Sequence, residues 1–216
     1  VIAGIILMVR HFEKKRTAAL NVVAAEMGLA FSAAQDDDLL ARMQDFSLFN
    51  KGHGRKMYNV MKAEGESMTL AIFDYQYTTG SGKHQQCHSQ TVVSVESASL
   101  SLPCFTLWPE GLLAKLGAMI GAQDIDFVEH PEFSKSFVLK GDDEPAIRDI
   151  LDVEKLDFFT GRKGAYMETA PSRFIYFRGK RRKPEQIREL MTAGYTAYAM
   201  FGGRSPGGSS PNSYDV

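Results

Sequence analysis

The sequence predicts an α+β fold: a largely antiparallel sheet with a long central β-hairpin, packed against helices and preceded by an N-terminal transmembrane or juxtamembrane helix. Three observations carry this. From Glu66 to Ser97 the chain reads ESMTLAIFDYQYTTGSGKHQQCHSQTVVSVES, two apolar runs flanking one glycine-rich turn. The elements run as helices first, then a meander, then strands alternating with helices. And the chain starts with nine apolar residues, VIAGIILMV, followed at once by Arg10, His11, Lys14, Lys15 and Arg16.

The hairpin has a register that parity constrains. With the turn centred on Ser81-Gly82, Ile72 lies opposite Thr91, Leu70 opposite Val93 and Met68 opposite Val95, so one face is continuously apolar. The other face pairs Phe73 with Gln90, Tyr75 with His88 and Tyr77 with Gln86. A one-residue slip would split the apolar set between faces, whereas a two-residue slip preserves both faces and stays open. Gly80-Ser81-Gly82-Lys83 resembles the end of a phosphate-binding P-loop, but Tyr77 stands where that loop needs its first glycine and His84 where it needs Ser or Thr. The residues after Lys83 alternate like a strand, so no helix N-terminus faces a phosphate there.

Composition bounds the class. The 216 residues are 44% hydrophobic and 24% charged, enough to bury a core, and the net charge of −1 provides no field to steer the molecule onto nucleic acid. Two cysteines, Cys87 and Cys104, make no disulfide framework and fit a reducing compartment. Nine apolar residues are shorter than the roughly 20 that a helical span needs, so the start is expected to be the end of a membrane anchor. Its basic flank places the domain on the cytoplasmic side. Expected boundaries are residues 1–28 for the end of the anchor and juxtamembrane helix, 29–201 for one α+β domain, and 202–216 for a Gly/Ser/Pro-rich disordered tail.

In chain order, Phe12 to Met27 has helical spacing with Gly28 as C-cap. A short strand is expected near Leu29 to Phe31, and Asp36 to Asp38 cap a helix carrying Leu39, Leu40 and Met43. Lys51 to Lys56 reads as a mobile basic loop and 57–63 as a strand. Leu100 to Trp108 is extended and, interrupted by Pro103, belongs at a sheet edge. A helix opened by Pro109-Glu110 buries Leu112, Leu113, Leu116, Met119 and Ile120. Strands at 125–128 and 137–139 enclose a loop from Glu129 to Glu132. Asp142 or Asp143 caps the next helix, which Leu156 and Phe159 continue or replace with a second. A hairpin at 165–169 and 173–178 follows, and Pro184 opens the last helix.

FDYQYTTGSGK with QTVVSV, LPCFTLWPE, DIDFVEHPEFS and FVLKGDDEPAIRDIL together resemble an uncharacterised family of bacterial membrane-anchored proteins, over about Lys14 to Arg178. The resemblance implies the anchor and a single continuous domain. It assigns no catalytic residue.

Candidate chemistry is sparse. Asp74 falls on the Leu70-Ile72 face, where an unpaired carboxylate would be costly, so it needs a partner, such as a backbone amide or an Arg, or a place at the edge. Tyr75 and His88, with Tyr77, could form a shallow aromatic binding patch. Asp124, Asp126, His130 and Glu132 are the residues most suited to a divalent metal, though no further ligands are signalled. His84, Cys87 and His88 look like zinc ligands, but strand alternation separates Cys87 from His88. Arg181 and Arg182, in the run Lys180 to Lys183, are candidate contacts for anionic lipid. The expectation is therefore a membrane-tethered domain that binds a protein or lipid partner, with no cofactor, no nucleic acid and no chemistry of its own. The alternative is a hydrolase or metal-dependent enzyme using Asp74 or the acids from Asp124 to Glu132.

Overall fold

The computed structural model describes residues 2–110 and 124–202. Helix α1 (Ile2–Glu26) leads into strand β1 (Ala30–Ser32) through a turn in which Gly28, at φ +70°, lets Leu29 N–H reach the Ala24 carbonyl at 2.9 Å. That is the Schellman geometry, which a left-handed glycine makes accessible. Asp36 caps α2 (Asp37–Arg42) by accepting from Leu39 N–H, and a 3₁₀ turn follows at Ser47–Asn50. The meander is β2 (His53–Glu64), β3 (Thr69–Thr79) and β4 (Gln86–Glu96), then β5 (Phe105–Pro109). After the short helix α3 (Pro131–Ser134) come β6 (Phe137–Gly141), α4 (Glu144–Ile150) and α5 (Val153–Thr160), capped by Asp143 and Asp152 in the last two. Strands β7 (Tyr166–Ala170) and β8 (Arg173–Phe177) form the second hairpin, and α6 (Ile187–Met200) follows a 3₁₀ turn opened by Pro184.

The eight strands make one sheet in the order β1-β2-β3-β4-β8-β7-β5-β6, with every neighbouring pair antiparallel. The hairpin sits at its centre, as the sequence predicts, but in the two-residue alternative register. Leu70 pairs with Val95, Ile72 with Val93, Asp74 with Thr91 and Tyr77 with His88. The turn is longer than assumed, running from Gly80 to Gln85 with a 3₁₀ turn inside it, and each added loop residue moves the pairing along. Parity survives: Leu70, Ile72, Val93 and Val95 share one core with Leu20 and Ala24 of α1, Ile147 of α4, Phe159 of α5 and Leu190 and Tyr198 of α6.

The opposite face is buried as well. Phe73, Tyr75, Tyr77, Val92 and Ile175 form a second core with Leu39, Phe46, Leu48 and Phe49 from α2 and its 3₁₀ turn. The molecule is three-layered, with helices on both sides of the sheet.

Other differences have local causes. His53 to Lys56 is not a loop, because Gln76 and Thr78 of the long β3 supply it with ladder partners. Pro103 lies just before β5, and β5 is interior, with β6 outside it at the edge. Residues 125–128 form no strand: Ile125 N–H donates to Leu139 O, but the His130-Pro131 corner ends the pairing. The expected helix around Leu112 to Ile120 and the tail after Gly202 lie outside the described residues. The N-terminal helix α1 is present, and among the described residues no helix is long and apolar enough to cross a membrane.

Candidate functional site

Asp74 lies on β3, facing α1, and is 1% exposed. Arg16 of α1 grips it with two bonds, Nε to Oδ2 at 2.8 Å and Nη2 to Oδ1 at 2.7 Å. Thr91, its cross-strand partner, donates its hydroxyl to Oδ1 at 2.9 Å. Asn59 donates to Oδ2 at 3.0 Å and accepts from Thr17 of α1. Asn59 reaches inward because β2 carries an extra residue between Tyr58 and Met61, and at this bulge Asn59 adopts φ +52°. A left-handed non-glycine residue is strained, and here the strain aims an amide at a buried carboxylate. Asp74 therefore pins α1 to the sheet. It is closed off from any substrate, which removes it from the enzymatic alternative.

Arg181 extends this network. It pairs bidentately with Glu13 of α1, both contacts at 2.7 Å, and its Nη2 lies 3.4 Å from Asp74 Oδ2. Burial works against the Arg181 cation, but the Glu13 bonds and the Asp74 charge outweigh it and raise its pKa. The Arg181 hydrogen bond likewise holds the Glu13 carboxyl below its usual value. Tyr58 lies beneath Arg181, and burial pushes its phenol up to about 12. Of the two lipid-contact candidates, Arg181 is thus committed to holding α1. Arg182 gives its backbone to the junction, N–H to Thr91 and carbonyl to Arg16, which leaves its side chain to other use.

The Arg182 side chain lines a groove of about 460 Å³ between α6 and the end of β8. Arg162, Arg178 and Arg188 line it too. The sequence pointed to Arg182 through the basic run; Arg162 and Arg188 carried no signal, since they come from the turn after α5 and the first turn of α6.

The aromatic patch has a different fate. Tyr75 is fully buried beneath Phe49, with ring centroids 4.7 Å apart, and burial raises its pKa. His88 stacks on Tyr77 at 4.8 Å instead and bonds Thr79. Tyr75 and His88 do not meet across the hairpin. Of the acids proposed for metal, Asp124 accepts from Leu139 N–H at 2.8 Å, with its pKa raised by burial, while His130 bonds Asp157 at 2.8 Å and caps α3. Among the described residues no group of three His, Cys, Asp or Glu could hold a metal ion.

A second cleft, of about 670 Å³, opens between the 3₁₀ turn after α2 and the β5-β6 corner, and Glu168 lies in its wall. Glu168 accepts from Ser47 Oγ at 2.9 Å and Leu48 N–H at 3.3 Å. Burial raises its pKa above the ordinary 4.5, against the pull of Lys51. A raised folded-state pKa gives stability that is complete below the unfolded value and is lost as pH rises through the folded one. Wild-type protein is therefore expected to lose thermal stability relative to Glu168→Gln as pH climbs from about 4.5 toward neutrality. Melting curves at matched pH values check this, and parallel profiles would refute it.

The fold and these sites define a class: an α+β domain whose antiparallel sheet holds an N-terminal helix through a buried acid and presents an arginine-lined groove beside that helix. No family model and no curated protein matches the chain. Among solved structures, the crystal structure of the mycobacterial trehalose monomycolate transport factor A, TtfA, is similar with a TM-score of 0.63. The match covers 85% of this chain and 93% of that chain at 13% identity, which shows a shared fold.

Proposed function

We propose that this domain works at a membrane surface, on the cytoplasmic side, by binding a lipid or protein partner in lipid transport, without chemistry of its own. The observation that carries the reading is the exposed start of α1. Leu7, Met8, Val9 and Phe12 are each more than half exposed, and packing against the domain begins only at Glu13. Large apolar side chains concentrated on one projecting stretch mark a surface that another apolar phase covers. The cations that follow, Arg10, Lys14 and Lys15, suit the headgroup region of a cytoplasmic leaflet. The fold likeness to a protein named as a trehalose monomycolate transport factor is compatible with the same setting.

The test is flotation with neutral phosphatidylcholine vesicles. The chain is expected to float, and the triple variant Leu7→Glu, Met8→Glu, Phe12→Glu to stay at the bottom with its melting temperature unchanged. Each apolar side chain transferred contributes about 1.5–3 kcal/mol, so three are decisive. A wild-type chain that does not float with any vesicle overturns the membrane reading.

A further inference from the structure

The groove between α6 and the end of β8 is built around cations that the fold leaves uncompensated. Arg162 spends one nitrogen on the Phe158 carbonyl and stacks on the Phe158 ring at 4.0 Å, and Arg178 spends one on the Lys163 carbonyl. These anchors hold the guanidiniums in place and leave their other donors facing the groove. Arg182 has a buried Nε with no acceptor. Arg188 has no side-chain bond among the described residues. Glu185 and Glu189 line the same groove, yet among the described residues neither forms an ion pair with any of the four arginines, so the lining keeps a net positive charge.

A second observation points the same way. Tyr176, in the groove lining, is fully buried, and its hydroxyl makes no hydrogen bond of good geometry. A weak hydrogen bond from Arg178 draws the phenol pKa down against the larger upward pull of burial, but it falls short of good geometry and, Arg178 being a donor only, leaves the hydroxyl proton without an acceptor. A buried O–H without an acceptor costs stability, and its persistence beside preorganised guanidiniums is what an oxyanion site requires. Leu190 and Ala193 continue the wall and give the groove an apolar end.

We infer that this groove binds a phosphate ester, its oxyanion held by Arg182, Arg188, Arg178 and the Tyr176 hydroxyl, and its organic remainder lying along Leu190 and Ala193. Guanidinium forks match the geometry of a tetrahedral oxyanion and donate charge-assisted bonds to it. The groove adjoins α1, because the Arg182 carbonyl accepts from Arg16. A phosphate carried by a bilayer lipid and a free phosphate ester are the two sources of this chemistry. The lipid source rests on the membrane reading above; the anion chemistry stands without it.

The experiment has two arms. In the first, calorimetry with glycerol 3-phosphate and with inorganic phosphate is run on wild type, Arg182→Ala/Arg188→Ala and Tyr176→Phe. Wild type is expected to bind, the double variant at least tenfold more weakly, and Tyr176→Phe several-fold more weakly with an equal or higher melting temperature. A purely structural tyrosine would not show that last combination. In the second arm, flotation compares neutral vesicles with vesicles containing phosphatidic acid. If the lipid is the source, the acidic lipid strengthens binding of wild type but not of the double variant, and the α1 triple variant still responds to glycerol 3-phosphate. Failure of flotation with both vesicle types, alongside intact phosphate binding, sinks the membrane reading alone. Equal phosphate binding by all three proteins, or none by wild type in either arm, overturns the site. Arg188→Gln, an exposed change, replaces the double variant if that one does not fold.

Discussion

Replacing Asp74 with alanine is expected to destabilise the domain by about 3–5 kcal/mol, because the partners of a buried ion pair are left without compensation. Arg16 would keep a mostly buried guanidinium with only the Arg182 carbonyl and, more weakly, the Thr91 hydroxyl to accept from it. Asn59 and Thr91 would each lose an acceptor, and Arg181 would lose its second anion while keeping Glu13. Asp74→Asn preserves shape and one acceptor, so its loss should be smaller. The diagnostic comparison is the double variant Asp74→Ala/Arg16→Leu, expected to be more stable than Asp74→Ala alone, since removing both charges leaves no orphan. Urea denaturation measures all three. A loss under about 1 kcal/mol for Asp74→Ala would place the pair in the ordinary range of surface ion pairs and refute its pinning role.

Val93→Asp is expected to cost on the order of 4–5 kcal/mol or more, enough to unfold an average domain at moderate temperature. Val93 is fully buried at the centre of the sheet. It packs against α6 at Gly194, where even an added methyl carbon would lie 2.7 Å from Val93 Cγ1, so there is no room for a hydrated carboxylate. The aspartate must either protonate or open the helix layer. The cover over Val93 is thus α6. Gln90→Asp looks mild if the second hairpin face is wet, but Gln90 is buried under the α2 side of the molecule, so that change too should be clearly destabilising. A folded Val93→Asp protein with near wild-type melting would contradict the central position of the hairpin.

How much of this was legible follows from the range of each interaction. Caps are local: Asp36 and Asp143 each bond an amide three residues on, and Gly28 closes its own helix, so spacing alone narrowed each to one or a few neighbouring residues, while Asp152, a cap of the same kind, was not picked out. Strand parity is equally local, which is why Leu70, Ile72, Val93 and Val95 were placed on one face correctly. The hairpin register was not, because it depends on how many residues the turn absorbs. The requirement that Asp74 have a partner was readable from its parity, while the partner was not: Arg16 is 58 residues away and Arg181 is 107 away.

Sequence by itself determined the α+β class, the central antiparallel hairpin, the caps at Asp36 and Gly28 and the apolar start of the N-terminal helix, since each rests on periodicity or on contacts within one turn of chain. Tertiary structure alone decided that both sheet faces are covered, that Tyr75 is core rather than surface, and that two adjacent arginines have different tasks. Arg181 is locked onto Glu13 and Asp74, and Arg182 turns with Arg162 and Arg188 into a groove that no stretch of sequence contains. The physical reason is that a side chain's role is set by the charges and cavities that folding brings within a few ångströms of it, and those come from residues far along the chain.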